Sequence, residues 1–341
     1  MEAYKPEILF LKQEDVIKAG LLDMKNILAV TEKTFQLIGE GKVINPTKVF
    51  MGMPNNEDWK SYCMSMPAYI GGEFDVAGFK WASESVFNAT QEGMPYGVDV
   101  VILTNPKTVY PKAILDGTIT TAMRTSAAAG VMAKYNARKN SKTAALIGAG
   151  VIGRTMVMAM AEAVPGLTEI RIVDLKAEKA KALAKEFEGT YNVVAMSDVK
   201  EAVCGADLVV TETTSRKDFI KKDWLLNNAT VIQMEAHSFE PDVLLTADKV
   251  FLDNWAQMSH LSGITVAQLY AEGKLMREDI AELPEMVCGK VKARETDDEF
   301  IFCGTAGVGA VDITIANQMY ENAKKMGIGQ KLMLWDAPLW V

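Results

Sequence analysis

The stretch TAALIGAGVIGRT, residues 143–155, places three glycines between an apolar strand-like segment and a helical one. Gly148 permits a tight turn, Gly150 lets the backbone approach a pyrophosphate, and Gly153 allows the helix to pack closely on the strand. The free N–H groups at the start of that helix attract phosphate oxygens. The spacing therefore predicts a dinucleotide-binding loop. The predicted cofactor-binding residues of this loop are Gly148, Ala149, Gly150, Val151, Ile152 and Gly153.

An acidic residue, Asp174, follows this loop near the end of the next strand-like segment, IRIVDL. A carboxylate at that position accepts hydrogen bonds from the ribose hydroxyls of the adenosine and disfavours a 2′-phosphate. This favours NAD(H) over NADP(H), although Arg154 and Lys176 lie close by in the sequence and would soften the preference. The alternative interpretation is a structural glycine turn followed by a capping aspartate.

The sequence shows no metal-ligand pattern. The two histidines, His237 and His260, are well separated, and no CxxC spacing connects the four cysteines. Scattered cysteines are typical of free thiols in a reducing compartment rather than of a disulfide framework. We therefore expect a mechanism without a metal ion.

The bulk composition is that of a soluble globular protein, with 341 residues of which 49% are hydrophobic and 23% charged. The formal net charge is −8 and the chain has no basic cluster, which argues against a nucleic-acid partner. No apolar run approaches the roughly 20 residues that a membrane helix needs. The opening MEAYKPEILF lacks the layout of a signal peptide. We expect a cytoplasmic protein without a membrane partner and with two domains.

The apolar periodicity divides the chain into two kinds of segment. Residues 13–41 show helical spacing and end in glycine, and residues 47–104 contain short strand-like pieces with an antiparallel character. From about residue 118, strands rich in Val and Ile alternate with helices, as in a doubly wound parallel sheet. Asp253 and Asn254 stand at the end of one such strand, where ligands bind in open sheets.

These elements predict an α/β protein, with a Rossmann-type doubly wound parallel sheet and a second, α+β domain. The last long helix, VDITIANQMYENAKKMG, is expected to return to the α+β domain and make it discontinuous. The predicted domains are residues 1–120 with 315–341, and residues 121–314.

Further stretches extend the pattern around the glycine loop. They are ITTAMRTSAAAGVMAKYNA, MPAYI, GFKW, GMPYGVDVVI, LDG, GADLVVTETTS and GTAGVGAVD. Together, between about residues 45 and 315, they resemble the ornithine cyclodeaminase/mu-crystallin family in sequence and in order. The resemblance implies a homodimer in which the α+β domain binds the substrate and forms the dimer contacts, while residues 121–314 bind NAD(H).

The resemblance also implies that an amino or imino acid is held by its carboxylate. Lys80 in GFKW and Arg124 in AMRTS align with the family's carboxylate-binding cations. Arg grips a carboxylate bidentately, whereas Lys supplies a point charge. Lys80 is alternatively a base, if burial and Arg124 lower its pKa. Lys48 stands where many members have a third cation, and Arg124 would set the substrate beside the nicotinamide.

Departures from the family pattern bear on the reaction. Cyclodeaminases resembling this chain carry an acid before the MP dipeptide, where this sequence has Met64 and Ser65. A second acid-bearing loop is shortened to IQMEAHSFEPD, in which Glu235 is the candidate substitute. His237 matches a histidine of members similar to alanine dehydrogenase. Asp312 matches a family aspartate, and its structural alternative is an acid favoured at a helix N-terminus.

Lys80, Arg124, Glu235 and Asp312 are the predicted catalytic residues. The predicted substrate-binding residues are Lys48, Met64, Lys80, Arg124 and His237. The cofactor-binding set is completed by Asp174, Thr125, Thr213 and Thr214.

Three functions are compatible with these residues. The missing cyclodeaminase acids favour an NAD(H)-dependent oxidoreductase that interconverts a small amino acid and its imine or keto acid, opine-type reactions included. The second function is a cyclodeaminase-type lyase that uses NAD⁺ catalytically and releases ammonia. The third is a non-catalytic ligand binder similar to mu-crystallin.

Overall fold

The computed structural model describes residues 7–54, 61–261 and 263–339. The prediction that the opening stretch is not a signal peptide concerns residues 1–10, of which the first six lie outside the described residues. The strands are β1 (Glu7–Leu11), β2 (Val43–Ile44), β3 (Val49–Gly52), β4 (Ser61–Ile70), β5 (Val76–Ser85), β6 (Val100–Thr104), β7 (Pro111–Asp116), β8 (Thr143–Ile147), β9 (Glu169–Val173), β10 (Val193–Ala195), β11 (Leu208–Thr211), β12 (Thr230–Gln233), β13 (Lys249–Leu252), β14 (Ile280–Glu282), β15 (Ile301–Gly304) and β16 (Gln330–Met333).

The helices connect these strands. They are α1 (Gln13–Val16), α2 (Met24–Gly39), α3 (Thr118–Asn136), α4 (Val151–Ala163), α5 (Ala177–Glu186), α6 (Val199–Val203), α7 (Pro241–Leu245), α8 (Trp255–Met258), α9 (Thr265–Ala271), α10 (Leu283–Val287) and α11 (Gly309–Met326). A π-helical turn spans Ile17–Leu21, and 3₁₀ turns span Asn88–Thr90, Lys222–Trp224 and Arg277–Asp279. No helix among the described residues is both long enough and apolar enough to cross a membrane.

The chain divides into two compact units. Unit one consists of Met1–Asp23, Glu40–Arg124 and Val308–Val341, and unit two of Met24–Gly39 and Thr125–Gly307, as far as these ranges are described. The division differs from the predicted boundaries in three places. Helix α2 belongs to unit two, because it packs on α4 and α10. The two other boundaries fall after Arg124 and after Gly307, and helix α3 runs across the first of them.

The helix predicted over residues 13–41 is interrupted. Helix α1 leads into the π-helical turn, in which Gly20 has a φ of 103°. A residue in this left-handed region cannot continue a right-handed helix, so the chain turns and α2 begins only at Met24. The prediction of one helix was therefore wrong, because the helical spacing of apolar residues persists across the break.

Unit one is built on a mostly antiparallel sheet with the strand order β16-β1-β7-β6-β5-β4-β2, in which β3 pairs with β4. Strands β1 and β7 run parallel. Helix α11 packs on β4, β5 and β6. On these strands Met66 lies opposite Lys80, and Lys80 lies opposite Val101. All three side chains are buried, which places a lysine within an otherwise apolar row.

The first turn of α11 lies directly against β4. A Cβ added to Gly309 would lie 2.9 Å from the carbonyl oxygen of Met66, so this close approach requires glycine. The contact brings the first turn of α11, which carries Asp312, to the sheet. At its other end α11 stops at Gly327, which adopts the left-handed conformation common after helices.

Unit two is a parallel eight-stranded sheet with the order β10-β9-β8-β11-β12-β15-β13-β14. Strands β11, β12 and β15 are buried along their whole length, as expected when helices cover both faces of a parallel sheet. The chain runs from β8 through β9 to β10 towards one edge of the sheet and then returns to β11 on the other side of β8. The strand order therefore reverses at β8. Ligands bind beyond the carboxyl ends of the strands at such a switch point. The predicted fold class is confirmed.

Candidate active site

The glycine loop lies at the junction of β8 and α4 in unit two. Gly148 has a φ of 120°, and a Cβ at this position would lie 1.9 Å from the carbonyl oxygen of Glu212. A Cβ on Gly153 would lie 2.4 Å from the carbonyl oxygen of Gly148. The first and third glycines are therefore required by the backbone, because neither position has room for a side chain.

The second glycine has a different environment. No atom lies within 4 Å of a Cβ built on Gly150, and this residue caps α4 without any side-chain hydrogen bond to the helix. The first N–H groups of a helix have no partner within the helix. The open space and the free donors fit a pyrophosphate approaching Gly150, Val151 and Ile152, which is the group that a dinucleotide would place there.

Asp174 follows β9 and contacts the glycine loop itself. Its Oδ2 accepts a hydrogen bond of 2.9 Å from the backbone N–H of Ala149, and its Oδ1 accepts one of 2.8 Å from that of Lys176. An ionised carboxylate has about four acceptor positions, so it can still accept from ribose hydroxyls. The residue thus has a structural role, fixing the loop, that is compatible with the predicted role in cofactor binding.

Glu235 lies just beyond the carboxyl end of β12, in the loop that follows this strand. Its carboxylate accepts hydrogen bonds from Ser238 Oγ and, at 3.4 Å, from the backbone N–H of Thr213. Burial raises the pKa of Glu235 to about 7 because it disfavours the charged form more than these hydrogen bonds favour it. The structure thus brings Glu235 and Thr213 together and gives this edge of the sheet a carboxyl group that titrates near neutral pH.

Other predicted residues of unit two lie near this edge or on α3. His237 is partly exposed, and its Nδ1 lies 3.3 Å from Asp218 Oδ1. Thr214 is exposed in the segment after β11, and Thr125 is a partly buried residue of α3. These positions are compatible with the predicted roles, and none of the three residues is hydrogen-bonded to Glu235 in the part of the chain that the structure describes.

Asp253 and Asn254, predicted as ligand contacts, make hydrogen bonds within the protein. The carboxylate of Asp253 accepts hydrogen bonds from the backbone N–H groups of Ala306 and Gly307, at 2.9 Å and 2.7 Å. The side chain of Asn254 accepts from the backbone N–H of Gln257 and caps α8. Asp253 thus fixes the second glycine-rich turn and Asn254 begins a helix, and the predicted ligand contacts stay a prediction.

A cluster of buried charges lies in unit one, where β5, α3 and α11 meet. Lys80 Nζ lies 3.0 Å from Asp312 Oδ1, and Arg124 Nε donates to the same oxygen at 3.1 Å. The exposed fractions of Lys80, Arg124 and Asp312 are 1%, 8% and 0%. The structure therefore brings together three of the four predicted catalytic residues, because Lys80 and Arg124 both contact the same carboxylate oxygen of Asp312. Glu235 belongs to the other unit.

Arg124 uses one edge of its guanidinium group within this cluster. Among the described residues its hydrogen bond and ion pair are made through Nε to Asp312. The two Nη atoms have no such partner there, and they belong to the part of the side chain that is not completely buried. The two Nη atoms together form an edge of the guanidinium group that can bind a carboxylate bidentately.

Two polar atoms of Asp312 differ in their surroundings. Oδ1 accepts from both cations, whereas Oδ2 is buried and has no hydrogen-bond partner among the described residues. A buried carboxylate oxygen without a donor is costly, so such an atom points to a missing partner. A water molecule or an N–H group of a ligand would satisfy it.

Burial lowers the pKa of Lys80, and the nearby charge of Arg124 lowers it further. The carboxylates of Asp312 and Asp99 oppose both effects. Asp99 Oδ2 lies 3.7 Å from Lys80 Nζ, and Thr121 Oγ1 accepts a hydrogen bond of 3.1 Å from the same nitrogen.

Asp99 and Thr121 were not predicted as site residues, although both stand in stretches that carry the family resemblance. Asp99 lies in GMPYGVDVVI, and Thr121 lies one helical turn before Arg124 in ITTAMRTS. An i, i+3 spacing on a helix places two side chains on one face. That spacing was the available signal for Thr121, whereas only the tertiary structure reveals that Asp99 lies beside it.

Two further predicted residues, Met64 and Lys48, belong to unit one. Met64 is on β4, opposite Ala82 of β5, and is two residues from Met66. It therefore shares the sheet face of Lys80, because side chains alternate along a strand. Lys48 is a partly exposed residue in the segment that leads into β3. Among the described residues no group of three His, Cys, Asp or Glu side chains could hold a metal ion.

The parallel sheet with its glycine loop and the separate α+β unit define a two-unit protein of the Rossmann class. The family model of the ornithine cyclodeaminase/mu-crystallin family matches residues 7–327. The chain belongs to this family, and the resemblance is confirmed.

Relatives with stated activities cover the chain almost completely. An N-((2S)-2-amino-2-carboxyethyl)-L-glutamate dehydrogenase of Staphylococcus aureus is 29% identical over 96% of this chain and 99% of its own length. The structure of a Δ1-pyrroline-2-carboxylate reductase of Thermococcus litoralis with NADH and L-proline has a TM-score of 0.88 and 28% identity, covering 95% of this chain and all of its own. An archaeal alanine dehydrogenase dimer with bound NAD has a TM-score of 0.86 and 28% identity, covering 96% and 100%.

Proposed function

We propose that this chain is an NAD(H)-dependent oxidoreductase that interconverts a small amino acid and its imine or keto acid. The observation that carries the proposal is the free Nη edge of Arg124 beside Lys80, a buried pair of cations suited to a substrate carboxylate. The relatives named above are two amino-acid dehydrogenases and a reductase of a cyclic imino acid, which supports this reaction class.

Unit two supplies the cofactor site in this proposal. Gly150 and the start of α4 would hold the pyrophosphate, and Asp174 would hold the adenosine ribose. The carboxylate of Asp174 disfavours a 2′-phosphate, which favours NAD(H) over NADP(H). NAD(H), when bound, supplies or accepts the hydride. Thr125, Thr213 and Thr214 are proposed as further contacts.

Unit one supplies the substrate site. The Nη edge of Arg124 would bind the carboxylate, with Lys80 as the second cation, and Asp312 Oδ2 would accept an N–H of the amino or imino group. Lys48 and Met64 are proposed to contact the substrate from the neighbouring strands. Fixed groups of this kind contribute to the rate by restricting the reacting atoms to one orientation.

Glu235 is proposed as the group that exchanges a proton during the reaction. A carboxyl group with a pKa of about 7 is ionised and protonated in similar amounts at neutral pH. General acid–base catalysis is most efficient when the pKa lies near the working pH. His237, which lies beside Asp218, is proposed to contact the substrate.

We also propose a homodimer that forms through unit one. The sheet face opposite to Lys80 exposes apolar side chains that include Val49, Trp81 and Val100, of which the last two are each 38% exposed and lie opposite each other in register. Large exposed apolar patches are typical of interaction surfaces. The dimeric alanine dehydrogenase supports the proposal of a dimer.

The four cysteines are free thiols, which are typical of a reducing compartment, and we propose a cytoplasmic location.

Absorbance at 340 nm tests the function. The protein is incubated with NAD⁺ and L-alanine, L-proline or N-(2-amino-2-carboxyethyl)-L-glutamate. In reverse it is incubated with NADH and pyruvate plus ammonia, Δ1-pyrroline-2-carboxylate, or 2-oxoglutarate plus 2,3-diaminopropanoate. We expect net NADH formation or consumption with a member of this panel. Ammonia release from ornithine without a net change at 340 nm would instead indicate a cyclodeaminase, and saturable NADH binding with neither reaction would indicate a binding protein.

A further inference from the structure

We propose that Asp99 and Thr121 form a positioning pair that holds Lys80 as a charged ammonium group, with one N–H left to bind the substrate carboxylate. The identity of this ligand rests on the proposed function. The inference extends that function, because it adds two positioning residues, Asp99 and Thr121, to the lysine that the proposed function already uses as a substrate ligand.

The hydrogen bonds around Thr121 can run in one direction only. An ionised carboxylate accepts and cannot donate, so Thr121 Oγ1 must donate its single hydrogen to Asp99 Oδ2. With this hydrogen used, Thr121 Oγ1 can only accept from Lys80 Nζ, at 3.1 Å. The pair Asp99–Thr121 therefore fixes one N–H of Lys80 in direction.

The donors of Lys80 can then be counted. An ammonium group has three hydrogens. One is directed to Thr121 Oγ1 and a second to Asp312 Oδ1, at 3.0 Å. Asp99 Oδ2, at 3.7 Å, contributes charge rather than a hydrogen bond. One hydrogen remains without a partner among the described residues, and Arg124, whose Nη edge is free, shares the oxygen Asp312 Oδ1 with Lys80.

With both carboxylates ionised, the charges of the cluster balance only if Lys80 is protonated. Asp99 and Asp312 contribute two negative charges, and both are almost completely buried. Arg124 contributes one positive charge, so a neutral Lys80 would leave one buried carboxylate uncompensated. An unpaired buried charge is far more costly than a paired one. These three groups, on the segment before β6, on α11 and on α3, are the charged groups that act on Lys80.

The backbone holds Asp99 rigidly for this role. Its Oδ1 accepts from the N–H of Ser83, its own N–H donates to Thr118 Oγ1, and its carbonyl oxygen accepts from the N–H of Gly117 at 2.8 Å. A Cβ on Gly117 would lie 2.9 Å from the Cβ of Asp99. Asp99 belongs to the GVDVV stretch and Gly117 to the LDG stretch. The contact between them gives these two stretches a role that the proposed function does not include.

The proposal is tested by titrating Lys80 in the protein without ligands. Lysine labelled with ¹³C at Cε gives an NMR signal whose shift reports the charge of the amine, and the Lys80 signal is identified by its loss in Lys80→Met. The variants are Asp99→Asn, Thr121→Val and Thr121→Ser, with Thr108→Val as the control at an exposed threonine of the same unit. Melting temperature and NADH affinity verify that each variant is folded.

We expect the Lys80 signal of the unmodified protein to be that of an ammonium group at pH 7. In Asp99→Asn and Thr121→Val the midpoint of its titration should fall by about one pH unit or more, which is a tenfold change in the protonation equilibrium. Thr121→Ser and Thr108→Val should retain the original midpoint. Where the panel above yields a substrate, the two disruptive variants should raise its KM about tenfold or more, with a smaller change in kcat.

Three results would overturn the proposal: a neutral Lys80 at pH 7 in the unmodified protein, an unchanged midpoint in folded Asp99→Asn and Thr121→Val, or a Thr121→Ser variant as altered as Thr121→Val. Because the titration needs neither substrate nor turnover, it remains decisive if the proposed function fails in the absorbance assay.

Discussion

Asp312 and Arg124 show how a single hydrogen bond determines what a buried side chain can bind. Because Asp312 Oδ1 occupies the Nε edge of the guanidinium group, the Nη edge remains for a ligand. The same carboxylate offers Oδ2, which has no partner among the described residues. A carboxylate and an N–H group are the two features that every amino or imino acid presents. The cluster thus fits the proposed class of substrate without specifying its side chain.

The first prediction concerns Arg124. In Arg124→Ala the substrate loses its bidentate partner, and kcat/KM should fall by an amount that corresponds to about 2–5 kcal/mol. The affinity for NADH, measured by fluorescence titration, should be nearly unchanged because the glycine loop belongs to unit two. An equal loss of substrate and NADH binding would contradict the carboxylate role.

The second prediction concerns Glu235, whose pKa lies at about 7 because of burial. As a base it must be ionised, so the rate of amino-acid oxidation should rise with pH through about 7. In Glu235→Gln this rise should disappear and kcat should fall about 100-fold, the lower end of the range for lost acid–base catalysis. Steady-state kinetics between pH 5.5 and 9 at saturating substrate measure both, and Glu188→Gln, at an exposed position, is the matched control.

If the Glu235→Gln variant keeps the same pH dependence as the unmodified protein, another group controls the rate. His237 would then be the next residue to replace, since it lies beside Asp218 in the same loop region.

Residues whose side-chain chemistry suits the proposed ligand could be predicted from the sequence, whereas the residues that hold these side chains in place could not. Lys80, Arg124 and Asp312 are separated by up to 232 positions in the chain, yet the family resemblance singled out all three. Asp99 and Thr121 carry no distinctive pattern of their own. Their relation to Lys80 arises from the pairing of β5 with β6 and from the direction of α3, which spacing alone does not give.

At the scale of the element, the glycine loop gives the sharpest test, because Gly148 and Gly153 have no room for a side chain whereas Gly150 lies in open space. Gly148→Ala should lower the melting temperature strongly, since the new Cβ would overlap with the carbonyl oxygen of Glu212. Gly150→Ala should leave the fold intact, because the position is open, yet weaken NADH binding about tenfold or more. Thermal unfolding and NADH titration measure the two effects separately.

Gly189→Ala is the matched control for backbone strain. Gly189 also has a positive φ, of 81°, but no atom lies within 4 Å of a Cβ built there. It should therefore cost only about 1–2 kcal/mol of stability, the price of a left-handed conformation, with normal NADH binding. Equal NADH affinity in Gly150→Ala and Gly189→Ala would argue against a pyrophosphate at Gly150.

Elements with a strong local pattern could be predicted, and those determined by a single backbone angle could not. The alternation of β8, α4, β9 and α5 follows from apolar strands and helical spacing, and the structure shows it. The break between α1 and α2 depends on the left-handed conformation of Gly20. Glycine is equally consistent with a helix interior and with a turn until its φ is known, so the sequence could not distinguish the two.

At the scale of the whole molecule, the exposed apolar sheet face predicts self-association. Trp81→Glu should place a charge in the proposed dimer contact and shift the protein from dimer to monomer at micromolar concentration. Light scattering after size-exclusion chromatography measures the mass. Met326→Glu, at an exposed apolar position on α11, is the control and should remain dimeric. A monomeric unmodified protein would exclude the dimer.

The division of the chain into units could be foreseen in outline from the change in periodicity near residue 118. The exact membership of α2 could not, because its apolar face does not specify which unit it covers. The structure shows it packed on α4 and α10. The apolar stripe of an amphipathic helix indicates that one face is buried, but it does not indicate which element covers that face.

The most direct measurement of the central claim follows a labelled hydride. NADH carrying deuterium at both hydrogen positions of nicotinamide C4 is supplied with Δ1-pyrroline-2-carboxylate, or with pyruvate and ammonia, and the amino acid formed is examined by NMR and mass spectrometry. The proposed function predicts one deuterium at Cα of the product for each NADH consumed. Product that carries hydrogen from the solvent at Cα, or NADH consumed without any amino acid formed, would contradict it.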